Sequence, residues 1–117
     1  GLGFFVTGIH DYDGLFDVDF SSTKLERVRS GESAMDHAML FTGVDLDEAG
    51  QPRAWRVENS WGDEPGDSGF FTMDDQWFTD NVFEVVVPKS ALPEDLAAAV
   101  DSEPIVLPAW DPMGTLA

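Results

Sequence analysis

The sequence predicts an α+β domain: a small antiparallel β-sheet, short helices and an extended C-terminal arm. Three observations carry this. Strand-length runs, "AMLFTGV" (38–44), "AWRVE" (54–58), "FFTM" (70–73) and "VFEVVV" (82–87), are separated by stretches rich in Gly, Asp and Pro. Helical signals are confined to brief segments that carry their own caps. Three prolines, Pro104, Pro108 and Pro112, fall within nine residues near the end, where they exclude regular packing.

Taken in order, residues 1–20 mix apolar side chains with Asp and Gly and read as loop with short extended pieces. "SSTKLERVRSGES" holds a Thr23-x-x-Glu26 capping box, then good helix formers, then Gly31 as a stop, so a helix is expected at about 23–29. The unbroken apolar run 38–44 suits a strand covered on both faces. "DLDEAGQP" (45–52) is a hairpin connection. In "AWRVE" the period of two sets Trp55 and Val57 on one face and Ala54, Arg56 and Glu58 on the other. Extended by one step, it places Asn59 with Trp55 and Val57. The same count places His37 with Met39 and Phe41, so both polar side chains are expected to point inward near the ends of adjacent strands.

"GDEPGDSG" (62–69) is turn chemistry, "FFTM" a strand, and "DDQWFTDN" a short helix capped by Asp74 or Asp75. "VFEVVV" reads as a further strand, ended by Pro88. "PEDLAAAV" has Pro93 in its first turn and Glu94 and Asp95 at the positive end of the helix dipole. Residues 104–117 form the arm of what is otherwise one domain, 1–117.

Composition narrows the function classes. The chain has 117 residues, 23 Asp plus Glu against 6 Lys plus Arg, and a formal charge of −17. That balance argues against nucleic acid, whose phosphates need clustered cations, and against an anionic membrane surface. No apolar window has transmembrane length. The first residues, "GLGFFVTGIH", lack the basic region of a secretory signal and do not start with Met, so the expectation is a fragment or processed product. There is no cysteine, which removes disulfides, thiolate metal sites and a cysteine nucleophile from this chain and fits a reducing compartment.

Neither histidine has a partner at metal-ligand spacing, and His10 sits in a polar loop. "DLDEAG" resembles a calcium loop, yet Ala49 and Arg56 occupy positions where ligands belong. Gly62, Gly66 and Gly69 precede a strand rather than a helix, so they make turns rather than a phosphate cradle. No acidic pair stands out among the 23 for glycoside chemistry. No cofactor is implied.

His37 and Asn59 remain. A general base needs an imidazole of fixed tautomer and ring angle. A carboxamide oxygen can accept the hydrogen bond of one ring N–H and leave the other nitrogen facing a nucleophile, without adding charge beside a thiolate–imidazolium pair. Trp61 is placed to cover that bond. On residues alone, a histidine satisfied near a strand start and an asparagine in a turn is the competing reading.

"ENSWGDEPGDSGFF" resembles the Asn-Ser-Trp-Gly motif of papain-like cysteine proteases. "GESAMDHAMLFTGVDLDEAGQP" resembles the histidine segment of their bleomycin hydrolase and aminopeptidase C branch, and "LPAWDPMGTLA" that branch's C-terminus. The resemblance runs over residues 11–117 and leaves the first ten unassigned. It implies the C-terminal, sheet-rich lobe of a papain-like aminopeptidase. His37 is then the catalytic histidine, Asn59 its orienting partner and Trp61 their shield. The Ala117 carboxylate at the tip of the arm meets the free amino group of a peptide substrate, which makes the family aminopeptidases. The resemblance further implies a nucleophilic Cys on an N-terminal lobe absent from this chain, homohexamers, and a cytoplasmic location. The chain alone is expected to be inactive. A non-catalytic interaction domain derived from the same fold is the alternative.

Overall fold

The computed structural model describes residues 2–114. Its elements are strand β1 (Phe4–Phe5), helices α1 (Tyr12–Phe16) and α2 (Lys24–Ser30), strands β2 (Leu40–Leu46), β3 (Pro52–Glu58) and β4 (Phe70–Asp74), and helices α3 (Asp75–Asn81) and α4 (Glu94–Val100). Short 3-10 turns occupy Lys89–Ala91 and Pro112–Gly114. The sheet has the order β1-β4-β3-β2.

The two central pairings, β2–β3 and β3–β4, are antiparallel, as the turn-separated runs predict. β1 joins parallel to β4, with Phe4 opposite Thr72 and Phe5 opposite Met73. The sheet is therefore mixed at that edge. β1 falls in residues 1–20, which read as loop with short extended pieces; the helix α1 in the same stretch is unexpected, since five residues offer only Asp11 as a cap, whose side chain accepts from the Gly14 N–H.

Alternation decides the core. Val57 and Met73 are wholly buried, at 0% exposure, and Phe71 nearly so, while Phe70 and Thr72 face outward from the same strand. Phe5, Met39, Phe41, Trp55, Trp77, Phe78 and Val82 pack around them. Removing a side chain such as Val57 or Met73 from water contributes about 1.5–3 kcal/mol. α3 closes this face. Its cap is Asp74, which accepts from the Trp77 N–H. Phe78 stacks on Trp55 at 4.7 Å, and the Trp55 indole N–H donates to Asp75 at 2.9 Å.

α2 begins one residue later than expected and keeps both halves of the predicted capping box, with Gly31 ending it in the left-handed region. Its cations bind the far end of α3: Lys24 Nζ donates to the carbonyls of Thr79 and Val82, and Arg27 to that of Asp80. These are the free carbonyls of a helix C-terminus, where positive charge is favoured.

Three expectations need correction. The run 38–44 does not form a strand covered on both faces: β2 starts at Leu40, is an edge strand, and leaves Leu40, Val44 and Leu46 exposed. The hairpin connection is correspondingly shorter, closed by Asp47, whose side chain accepts from the Ala49 and Gln51 N–H groups. "VFEVVV" is not a strand here. Residues 83–87 make no backbone hydrogen bond among the described residues, and Val86 is 91% exposed. The arm holds no α-helix or strand over residues 103–114, but its Pro112–Gly114 turn lies against α2 rather than standing free.

Candidate active site

Register brings the two polar residues together. Leu40, the first residue of β2, pairs with Glu58, the last of β3. The chain just before β2 therefore runs beside the chain just after β3. His37 lies on the first and Asn59 on the second, and His37 Nε2 is 2.9 Å from Asn59 Oδ1. Asn59 is buried at 7% exposure, continuing the inward face of Trp55 and Val57. His37 departs from the expectation: it is exposed, because the segment before β2 is not strand and no longer obeys the period of two. One side of the ring meets the fold and the rest is open.

The hydrogen-bond pattern fixes the chemistry of that contact. The Ser60 backbone N–H donates to Asn59 Oδ1 at 2.8 Å. A backbone N–H can only donate, so the atom it faces is the carboxamide oxygen and not the nitrogen. The histidine nitrogen facing the same oxygen must then carry a proton. A neutral His37 held in this way is the Nε2–H tautomer, with Nδ1 left as the basic nitrogen. The Asn59 backbone is tied in turn, its N–H donating to the Gly69 carbonyl at 3.1 Å. Asn59 Nδ2 is buried and has no hydrogen-bond partner among the described residues.

Trp61 stacks on the imidazole, with centroids 5.4 Å apart and planes 27° from parallel. It covers one face of the pair while remaining 59% exposed itself. Behind it the edge of Phe71 meets its ring at 5.9 Å. All three residues singled out for the pair are thus assembled in one place. Ala117 lies outside the described residues. Sequence reasoning missed the Ser60 N–H, which any residue supplies, and the aromatic backing of Trp61, which is Phe71 of β4. Among the described residues no cluster of His, Cys, Asp or Glu could hold a metal ion, and no helix is long and apolar enough to cross a membrane.

An imidazole hydrogen-bonded to a carboxamide thus lies under an indole at the rim of a small sheet. The family model of the Peptidase C1-like family matches residues 1–114, and the chain belongs to that family. The match takes in the first ten residues, which the sequence reading left unassigned. The chain is 51% identical over 118 residues to an aminopeptidase C of Lactobacillus helveticus, covering 98% of this chain and 26% of that protein. It is 46% identical over 119 residues to human bleomycin hydrolase, covering 99% of this chain and again 26% of the relative. The crystal structure of PepW from Lactobacillus rhamnosis aligns with a TM-score of 0.84 at 47% identity, over 97% of this chain and 26% of that one. The chain therefore spans about a quarter of the length of these relatives, consistent with a C-terminal portion alone.

Proposed function

We propose that this chain is the histidine- and asparagine-bearing C-terminal part of a cysteine aminopeptidase that removes N-terminal residues from peptides. The observation that carries the reading is the 2.9 Å contact between His37 and Asn59, with its tautomer set by the Ser60 N–H. It leaves Nδ1 of an open imidazole facing outward, ready for a nucleophile that a cysteine-free chain must receive from elsewhere.

In that role Nδ1 takes the proton of a thiol on the missing N-terminal lobe, giving a thiolate–imidazolium pair. The thiolate sulfur attacks the scissile carbonyl carbon. As the tetrahedral intermediate collapses, the imidazolium returns its proton to the departing amine and the acyl group stays on sulfur. Neutral His37 then takes a proton from water, whose oxygen attacks the thioester and frees the thiol. Asn59 stabilises the imidazolium by accepting from Nε2–H without bringing a second negative charge beside the thiolate. The Ala117 carboxylate, at the end of the arm, pairs with the substrate's free amino group and confines cleavage to the first residue. The assembly is a cytoplasmic homohexamer, as the resemblance to the bleomycin hydrolase branch implies. Exposed apolar side chains such as Leu2, Val86, Ile105 and Trp110 support a further polypeptide covering this surface.

The test joins this chain to the preceding three-quarters of the Lactobacillus helveticus aminopeptidase C and assays an aminoacyl fluorogenic substrate. Activity lost on His37→Ala supports the reading; activity indifferent to that change contradicts it. The missing cysteine favours one other reading, a non-catalytic interaction domain on the same fold. A joined protein that folds, keeps its cysteine and yet never hydrolyses substrate would favour that alternative.

A further inference from the structure

We infer that Phe5, on the two-residue strand β1, is a positioning residue for the His37 imidazole, acting through Phe71 and Trp61. This rests on the catalytic reading of His37 for its purpose, but not for its geometry.

A continuous line of rings leads from the site to the sheet edge. His37 stacks on Trp61 at 5.4 Å, and Trp61 meets the edge of Phe71 at 5.9 Å. Phe71 stacks on Phe5 at 5.3 Å, and Phe5 lies against Trp77 of α3 at 5.1 Å. Trp61 is more than half exposed, so it has little packing to choose its angle other than the imidazole on one side and Phe71 behind. Phe71 is buried, and its own ring is set by Phe5. Offset and edge-to-face ring pairs are directional, so each ring in such a line limits the tilt of the next.

β1 braces the same region a second time through backbone. The Thr72 N–H donates to the Gly3 carbonyl at 2.8 Å, and the Thr7 N–H to Asp74 Oδ2 at 3.1 Å. A Cβ on Gly3 would lie 2.7 Å from the Gly66 Cα, and one on Gly66 would lie 3.3 Å from the Phe71 ring. The loop that follows Trp61 is therefore seated directly on the N-terminal segment, with no room for a side chain between them. Both residues have positive φ, which only glycine adopts without strain. Ring line and glycine contact converge on the stretch 61–71, whose position sets the indole over the imidazole.

The experiment reads His37 by nitrogen and proton NMR in this chain, where no activity is needed. The wild type should show the Nε2–H tautomer, ring protons shifted upfield by the indole, and slow solvent exchange of Nε2–H. In Phe5→Leu, which keeps an apolar side chain but loses the ring, the upfield shift should shrink and Nε2–H exchange should quicken about tenfold, the scale of a modest local opening. Phe5→Tyr keeps the ring and should restore both signals. Gly3→Ala, which keeps every aromatic side chain but pushes on Gly66 and so on the stretch 61–71, should move the same signals through the backbone brace. A folded Phe5→Leu protein with wild-type His37 shifts and exchange would overturn the inference. Should Phe5→Leu not fold, Phe5→Met, which fills the space with a longer flexible side chain and still lacks the ring, decides: altered imidazole signals support the inference and wild-type ones overturn it. Failure of the joined enzyme to hydrolyse substrate would refute the aminopeptidase reading and leave these signals untouched.

Discussion

Residues 82–114 are richer in apolar side chains than residues 52–81, 18 of 33 against 9 of 30, yet it is the poorer stretch that holds the core. In residues 52–81, the first region, β3 pairs on both sides, Val57 and Met73 lose all contact with water, and α3 seals the face with Trp77 and Phe78. In the second, residues 82–114, Val85, Val86, Ile105, Val106 and Trp110 stand exposed, and the extended run 83–87 has no strand beside it among the described residues. Composition alone would order the two the other way. What separates them is whether the complementary surface lies on the same chain. A Val-rich run becomes a strand only when another strand offers its backbone, and about three-quarters of the length of the relatives, from which one could come, lies outside this chain.

That contrast can be broken by substitution. Met73→Ala removes packing from the centre of the first region and is expected to cost about 2–5 kcal/mol by urea unfolding. Val86→Ala in the second is expected to stay within about 0.5 kcal/mol in the same assay. Equal effects would mean that the second region is packed after all.

The surface left bare predicts association. Sedimentation of the isolated chain should give a weight-average mass that rises with concentration, and the joined protein should show less of this behaviour for the same residues. A chain that remained monomeric at high concentration would weaken the case for a missing lobe.

Helix α2, which precedes both regions in the chain, offers a smaller and more local test. Thr23→Ala removes the side-chain half of the α2 capping box and should cost about 1 kcal/mol, read by thermal unfolding. The other half is sensitive to pH. The Thr23 backbone N–H, and then its hydroxyl, hold the Glu26 carboxyl below its ordinary value of 4.5. A carboxyl whose folded value is lowered contributes stability above its unfolded value and loses it as the pH falls through the folded one. Amide protection in α2 should therefore weaken on acidification below about pH 4.5, and Glu26→Gln should flatten the dependence. Because Glu26 is exposed, this is the smallest of the effects.

These outcomes also mark what was legible in the sequence. Capping motifs were, because Thr23, Glu26, Gly31 and Asp74 act through atoms two to four residues away. The period of two in "AWRVE" located the buried face and carried Asn59 with it. His37 was found through its residue type and its segment's resemblance, but its exposure was not foreseen, since the alternation that buries Met39 and Phe41 lapses before β2 begins. β1 was legible only as a short extended piece somewhere in residues 1–20, because two residues carry no period, and its parallel place beside β4 depends on contacts nearly 70 residues away. The error at "VFEVVV" has the opposite cause: propensity for a strand was read correctly, and the pairing partner is not among the described residues.

The central claim is a tautomer. Asn59 Oδ1, oriented by the Ser60 N–H, requires a proton on His37 Nε2 and frees Nδ1 for a thiol. Nitrogen NMR of the neutral imidazole measures this directly. The account predicts a dominant Nε2–H form in the wild type that gives way to a mixture in Asn59→Ala. A dominant Nδ1–H form, or a wild-type spectrum that Asn59→Ala leaves unchanged, would contradict it.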